Sequence, residues 1–142
     1  MLRATAAVID TPRMLTGLAE AHRRLGHPVE GLNCLAEAAQ VIEATDMRRD
    51  EAELYRVRGD LLNATGDPAA AEQSYDQALV VARGQSAKLF ELRAATGLAR
   101  LWRDQGKRTE ARDLLAPIYG WFTEGFDTPV LQDAKVLLDQ LA

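Results

Sequence analysis

Apolar and polar residues along this chain follow the three-and-four spacing of one-sided helices, and the same arrangement returns every 40 residues. Three tight turns mark the period: Leu25-Gly26-His27-Pro28, Thr65-Gly66-Asp67-Pro68 and Gln105-Gly106-Lys107-Arg108. Counted from the turn glycines, residue types recur. Five positions after them stand Gly31, Ala71 and Ala111; nine after, Leu35, Tyr75 and Leu115; twelve after, Ala38, Ala78 and Ile118. Seven before them stand Ala19, Gly59 and Ala99, and four before, His22, Leu62 and Trp102. Small residues let helices approach closely, and large ones at helical spacing fill what remains.

The turns carry their own chemistry. Glycine takes the left-handed conformation that closes a helix, and proline suits the first turn of the next one. The pattern predicts three antiparallel helix pairs, about 12–25 with 28–44, 49–65 with 68–83 and 87–105 with 108–122. A last helix, about 129–141, opens at Thr128-Pro129 and caps the stack. Residues 1–9 read as the end of an earlier helix. Pro117 falls inside the sixth helix and is expected to bend it against the carbonyl of Asp113.

Gly59, Leu62, Gly66, Asp67, Pro68, Ala71, Tyr75 and Ala78 together resemble the signature of the tetratricopeptide repeat family. The other pairs depart from it: Ala19 and Ala99 replace the early glycine, and Gly31 replaces an alanine. The usual repeat is about 34 residues, so a 40-residue period implies longer helices or links. The resemblance implies an all-α fold, a right-handed α-α superhelix of three such pairs (about 12–45, 49–84 and 87–123) plus the capping helix. One repeat domain is expected to span 1–142.

A narrower resemblance rests on Glu51 to Arg56 and above all on Glu91 to Leu141. Leu92-Arg93-Ala94-Ala95, Leu98-Ala99-Arg100-Leu101-Trp102, Ala111-Arg112-Asp113-Leu114-Leu115 and Tyr119-Gly120-Trp121-Phe122-Thr123-Glu124-Gly125-Phe126-Asp127-Thr128 carry it. These stretches are similar to the C-terminal end of large bacterial signalling proteins. There, a class III nucleotidyl cyclase or a DNA-binding module precedes an ATPase domain, and helical repeats follow. None of the cyclase or ATPase residues stands in this sequence, so no activity carries over.

Composition narrows the classes further. Hydrophobic residues make up 47% and charged ones 27%, enough apolar surface for a core, while aromatics at 6% give a sheet little to build on. The net charge of −4 gives no overall pull toward nucleic acid or anionic membranes. No apolar run approaches the roughly 20 residues a membrane helix needs, and Met1 to Ile9 lack a secretory leader's pattern. The single cysteine, Cys34, excludes an intramolecular disulfide and fits a cytoplasmic setting.

Catalytic and cofactor chemistry find no footing. No phosphate-binding glycine loop is present. His22, His27 and Cys34 lack metal-ligand spacing, and no cofactor is expected. Cys34 shares its repeat position with Ser74 and Leu114 and reads as a half-buried filler, and His22 reads as a packed side chain. Trp102 is expected in the core, with Trp121, Phe122 and Phe126 sealing the last pair against the capping helix.

What remains is a surface. In the fold that the resemblance implies, the first helix of each pair lines the inner wall. Its outward positions are Arg13, Thr16, Glu20, Arg23 and Arg24, then Glu53, Arg56, Asp60, Asn63 and Ala64, then Arg93, Thr96, Arg100, Arg103 and Asp104. Seven arginines face four acids there, a net +3 on a chain of −4. Arginine suits bidentate contact with carboxylates. The wall is therefore expected to hold an acidic peptide or partner helix. Thr16 and Glu20 stand where the carboxylate clamp of chaperone-binding relatives has lysine and asparagine, so that specificity does not transfer. The alternative is a sensor for a small effector, or a self-associating homo-oligomer, that gates an attached ATPase or cyclase.

Overall fold

A computed structural model describes residues 11–142, so the expected helix end at 1–9 lies outside the described residues. Seven helices follow one another: α1 (Thr11–Arg24), α2 (Pro28–Thr45), α3 (Glu51–Ala64), α4 (Pro68–Gly84), α5 (Lys88–Asp104), α6 (Arg108–Gly120) and α7 (Pro129–Leu141). There is no strand among the described residues. Each pair packs internally, each second helix packs on the next first helix, and α1, α3 and α5 lie side by side along one wall. The lengthened period is absorbed by second helices of 18 and 17 residues and by the link 46–50.

The three turn glycines adopt φ of 77°, 86° and 82°. At each, the glycine N–H reaches back three residues, to Arg23, Asn63 or Arg103, and the next N–H reaches the carbonyl of His22, Leu62 or Trp102 at 2.8–3.0 Å. Both bonds together form the Schellman closure, which satisfies carbonyls that a helix end otherwise leaves orphaned. Pro28 and Pro68 then open the following helices, and the Asp67 carboxylate caps α4 by accepting from the Ala70 N–H at 3.2 Å.

The same closure ends α4 with a serine in the glycine position. Ser86 sits at φ 54°, its N–H bonding to Arg83 and that of Ala87 to Ala82. A side chain is strained there.

Two clusters make the core. Leu15, Ala19, Leu35, Ala38 and Ile42 meet Leu54, Val57 and Leu61 in the first. The second joins α4, α5, α6 and α7 around Tyr75, Leu92, Leu98, Leu115, Leu131 and Leu137. Every small residue of the repeat pattern is buried, as is each large residue nine and twelve after the glycine. The position four before it is half-buried in all three pairs, so Trp102 lies at the core's edge, its indole donating to Glu72 at 2.8 Å.

The expected aromatic seal needs correcting. Phe122 and Tyr119 do pack against the last cluster, but Trp121 is 58% exposed and Phe126 46%. Helix α6 continues through Pro117 only as far as Gly120. The chain then leaves the helix before Trp121 can turn inward. Trp121 instead meets Phe122 edge-on at 5.2 Å and carries Lys88 5.5 Å above its ring, while Phe126 leans on Tyr119 from outside. Leu131, Ala134, Leu137 and Leu141 of α7 make the seal themselves.

The Tyr75 ring fills the contact between α3 and α5. A Cβ built on Gly59 would lie 2.7 Å from it, and one on Gly97 2.6 Å. A rigid ring flanked by two helices has no room to yield. Gly97→Ala should therefore cost about 1–3 kcal/mol in urea denaturation despite its better helix propensity. A neutral result would mean that the two helices spread freely. Ser86→Gly should raise stability by roughly 0.5–1 kcal/mol, because it removes the left-handed strain, and the same melts would read it.

Candidate functional site

The wall made by α1, α3 and α5 carries a chain of charges. Glu20 accepts from Arg23 Nε at 3.0 Å and lies 3.5 Å from Arg24. Glu53 accepts from Arg56 at 2.9 Å, and Arg93 of α5 reaches the same carboxylate at 2.7 Å. Arg56 also pairs with Asp60 at 3.1 Å, and Asp60 receives the Tyr75 hydroxyl. The spacing explains the pairs: residues three and four apart share a helix face, and α3 places Glu53, Arg56 and Asp60 on the side flanked by α1 and α5.

Burial tunes these groups. Burial raises the Asp60 carboxyl above its ordinary 3.8, against the opposing pull of Arg56 and Tyr75. Burial, then the charge of Asp60, pushes the Tyr75 phenol up. Burial also opposes the charge on Arg56, but Glu53 and Asp60 outweigh it and raise its pKa. Arg93 goes the other way: burial and then the repulsion of Arg56 lower it, more than Glu53 restores. Arg93 thus shares the Glu53 carboxylate with Arg56 and is partly withdrawn from solvent.

Several expected outward positions are not outward. Glu53 is buried, and the side chain of Arg56 is only 12% exposed, because α1 and α5 close over the α3 face. Thr16 and Thr96 are buried too, their hydroxyls donating back to the carbonyls of Pro12 (2.7 Å) and Leu92 (2.8 Å). Arg103 turns away toward the capping helix, donating to Gln140 at 2.6 Å and to Asp104 at 3.0 Å. Arg13, Arg24, Asn63 and Arg100 remain exposed, and Arg23 and Arg93 half-exposed.

Two recesses on this wall share Arg93. The larger, about 410 Å³, is lined by Arg13, Glu20, Arg49, Glu53, Phe90 and Arg93 among others. The second, about 240 Å³, runs from Arg24, Asp60, Arg93 and Arg100 to Pro129, Val130 and Asp133 of α7. Asn63 lines a further recess with Arg23 and Arg100. Among the described residues, Arg13, Arg49 and Arg100 form no ion pair.

Arg49, Phe90 and the α7 residues escaped the reading of the sequence, since Arg49 lies in a link and Phe90 in the first turn of α5. The link is fixed by its neighbour. Arg48 pairs with Glu43 at 3.3 Å and Glu51 at 2.8 Å, and the Gln85 amide donates to its carbonyl at 2.8 Å. That tethering holds the next residue, Arg49, at the mouth of the recess.

Away from the wall, burial and then Glu37 push the Cys34 thiol above its ordinary value, the setting of an inert packed cysteine. His22 is half-buried with Nδ1 unpartnered, its ring 6.0 Å from His27. No three potential metal ligands converge among the described residues, and none of the described helices is long and apolar enough to cross a membrane.

Two tetratricopeptide repeat family models match the chain, one over residues 10–84, more than half its length, and one over residues 92–117. The chain belongs to the tetratricopeptide repeat family. No curated protein and no solved structure matches it. Tetratricopeptide repeats are protein–protein interaction scaffolds and are generally non-catalytic, which agrees with a wall whose chemistry is charge presentation.

Glu20 gives the wall a pH signature. Burial works to raise its carboxyl, yet the hydrogen bond and charge of Arg23, with Arg56 and Arg24, bring it below the ordinary 4.5. A depressed carboxylate stabilises the fold above its unfolded pKa, and that contribution is lost as pH falls through the folded one. Urea melts taken from neutral pH to below 4.5 should show the wild type losing stability more steeply than Glu20→Gln. Parallel curves would remove Glu20 from the account.

Proposed function

We propose that this repeat protein captures an acidic segment of a partner protein along the wall of α1, α3 and α5. One observation carries the reading: a recess of about 410 Å³ presents Arg13, Arg49 and Arg93 beside Phe90, with Glu20, Asp50 and Glu53 also in its lining. Two of these arginines have no ion-pair partner among the described residues, and the third shares Glu53 with Arg56. Arg100 extends the cationic rim past the second recess toward α7.

The division of labour differs from the one that charge counting gives. Arg23 and Arg56 are spent on Glu20, Glu53 and Asp60 and serve the wall itself. Arg13, Arg49, Arg93 and Arg100 are the contacts offered to a ligand, with Arg24 and Asn63 at the margin. Carboxylates would take guanidinium hydrogen bonds in pairs, and Phe90 would take an apolar side chain from the same segment. The resemblance of Glu91 to Leu141 to the repeat ends of bacterial signalling proteins supports placing this capture within such a regulator.

The test is binding of a fluorescein-labelled peptide rich in Glu and Asp with interspersed Leu and Phe. Arg13, Arg49 and Arg100 are all exposed, so their joint reversal to Glu leaves the core untouched. The wild type should bind and weaken with added salt, and the triple variant should bind at least about tenfold more weakly, as expected for lost charged contacts. Equal binding by both would overturn the reading.

A further inference from the structure

The two junctions between repeats are built from equivalent positions and end differently. Where α4 meets α5, the space is filled. Tyr75, Leu79, Ala94, Ala95 and Leu98 are all buried, and the Trp102 indole closes the edge by donating to Glu72 at 2.8 Å. Forty residues earlier, where α2 meets α3, Trp102 is matched by Leu62, Leu79 by Ala39, and Glu72 by Leu32. The smaller Leu62 and Ala39 leave a cleft of about 310 Å³. Its floor holds the buried Leu35 and Leu54, and its sides hold Leu32, Ala36, Ala39 and Leu62.

Two polar groups line this otherwise aliphatic cleft. Arg58 stands where the next repeat has the buried Leu98, and Tyr55 where it has the buried Ala95. Arg58 is exposed and forms no ion pair or hydrogen bond, and the Tyr55 hydroxyl has no partner among the described residues. The Tyr55 backbone is fixed, its carbonyl accepting from Ser74 at 2.8 Å. The cleft shares no lining residue with the charged recesses, so it stands independently of the peptide wall.

We infer that the α2–α3 cleft is a binding site for a small amphiphilic carboxylate, its apolar body on the leucines and its carboxylate on Arg58 and Tyr55. The volume suits a small occupant: it lies at the lower end of the roughly 300–1,000 Å³ of small-molecule pockets. The charge decides the head group, because a guanidinium beside an apolar slot gives a carboxylate paired hydrogen bonds that a neutral alcohol cannot take up. Burial of a short alkyl body supplies affinity in proportion to its area.

Isothermal titration with octanoate and with octan-1-ol tests the assignment. The chain should bind octanoate saturably and more tightly than octanol. Arg58→Leu, which installs the residue of the equivalent position 98, should weaken octanoate by about tenfold and leave octanol unchanged. Leu62→Trp should abolish binding by filling the cleft as Trp102 fills its counterpart. Ala39→Leu, at an exposed position, gives the same block should the tryptophan variant misfold. Absence of saturable octanoate binding, octanol binding as tightly as octanoate, or binding indifferent to these substitutions would each overturn the proposal.

Discussion

The ring of Tyr75 leaves α4, passes between α3 and α5, and ends with its hydroxyl on Asp60 at the charged wall. It can do so only because Gly59 and Gly97 remove the side chains that would stand in its path. Close approach of α3 and α5 and placement of Asp60 therefore depend on one aromatic side chain and two missing methyl groups. Interiors packed to crystal density transmit such constraints over their neighbours. The tyrosine also carries a polar end through an apolar junction, and its buried hydroxyl requires an acceptor at the far side. Asp60 supplies that acceptor.

Asp60 in turn needs Arg56, since an isolated buried carboxylate is costly. Arg56 is itself largely buried and is balanced by Glu53, which draws in Arg93 from the neighbouring helix. The wall is thus a line of alternating charges, each stabilised by the next, spanning α3 and α5, with Glu20 and Arg23 joining from α1 through longer-range attraction. Buried ion pairs add little net stability compared with a well-packed apolar core, but one broken member leaves an uncompensated charge. The line consequently fixes how the first helices sit relative to one another more than it strengthens the fold.

Much of this was legible in the sequence, and for local reasons. A left-handed turn needs glycine, the next helix accepts proline, and small and large residues alternate at fixed distances from that turn; each helix end was therefore readable to within a few residues. Exposure was not. A position on the first helix of a pair looks outward when only its own pair is considered, yet α1 and α5 close over Glu53 and Arg56 of α3, and Thr16 and Thr96 are buried as well. Arg49 and Phe90 join the recess through tertiary placement of a link and a helix start, where no periodicity speaks. Trp121 points into solvent because α6 ends early, an end that nothing in the helical spacing marks.

The distribution of the remaining charge decides what the wall is suited to meet. The protein carries −4 overall, so an acidic segment is repelled at long range by most of its surface. Within a Debye length of about 8–10 Å, the wall offers Arg13 and Arg49 at the first recess and Arg100 at the second, none of them held in an ion pair among the described residues. On the proposed reading, such a surface would favour a ligand that reaches the arginines closely and pairs with their planar donors, over one that merely carries negative charge. Nucleic acid, with one charge about every 1.7 Å along its axis, would meet the surrounding acids along most of its length. A short acidic segment can confine its charge to the recess and set its apolar side chains against Phe90. On the proposed reading, this patch on an acidic body would select length and shape as well as sign.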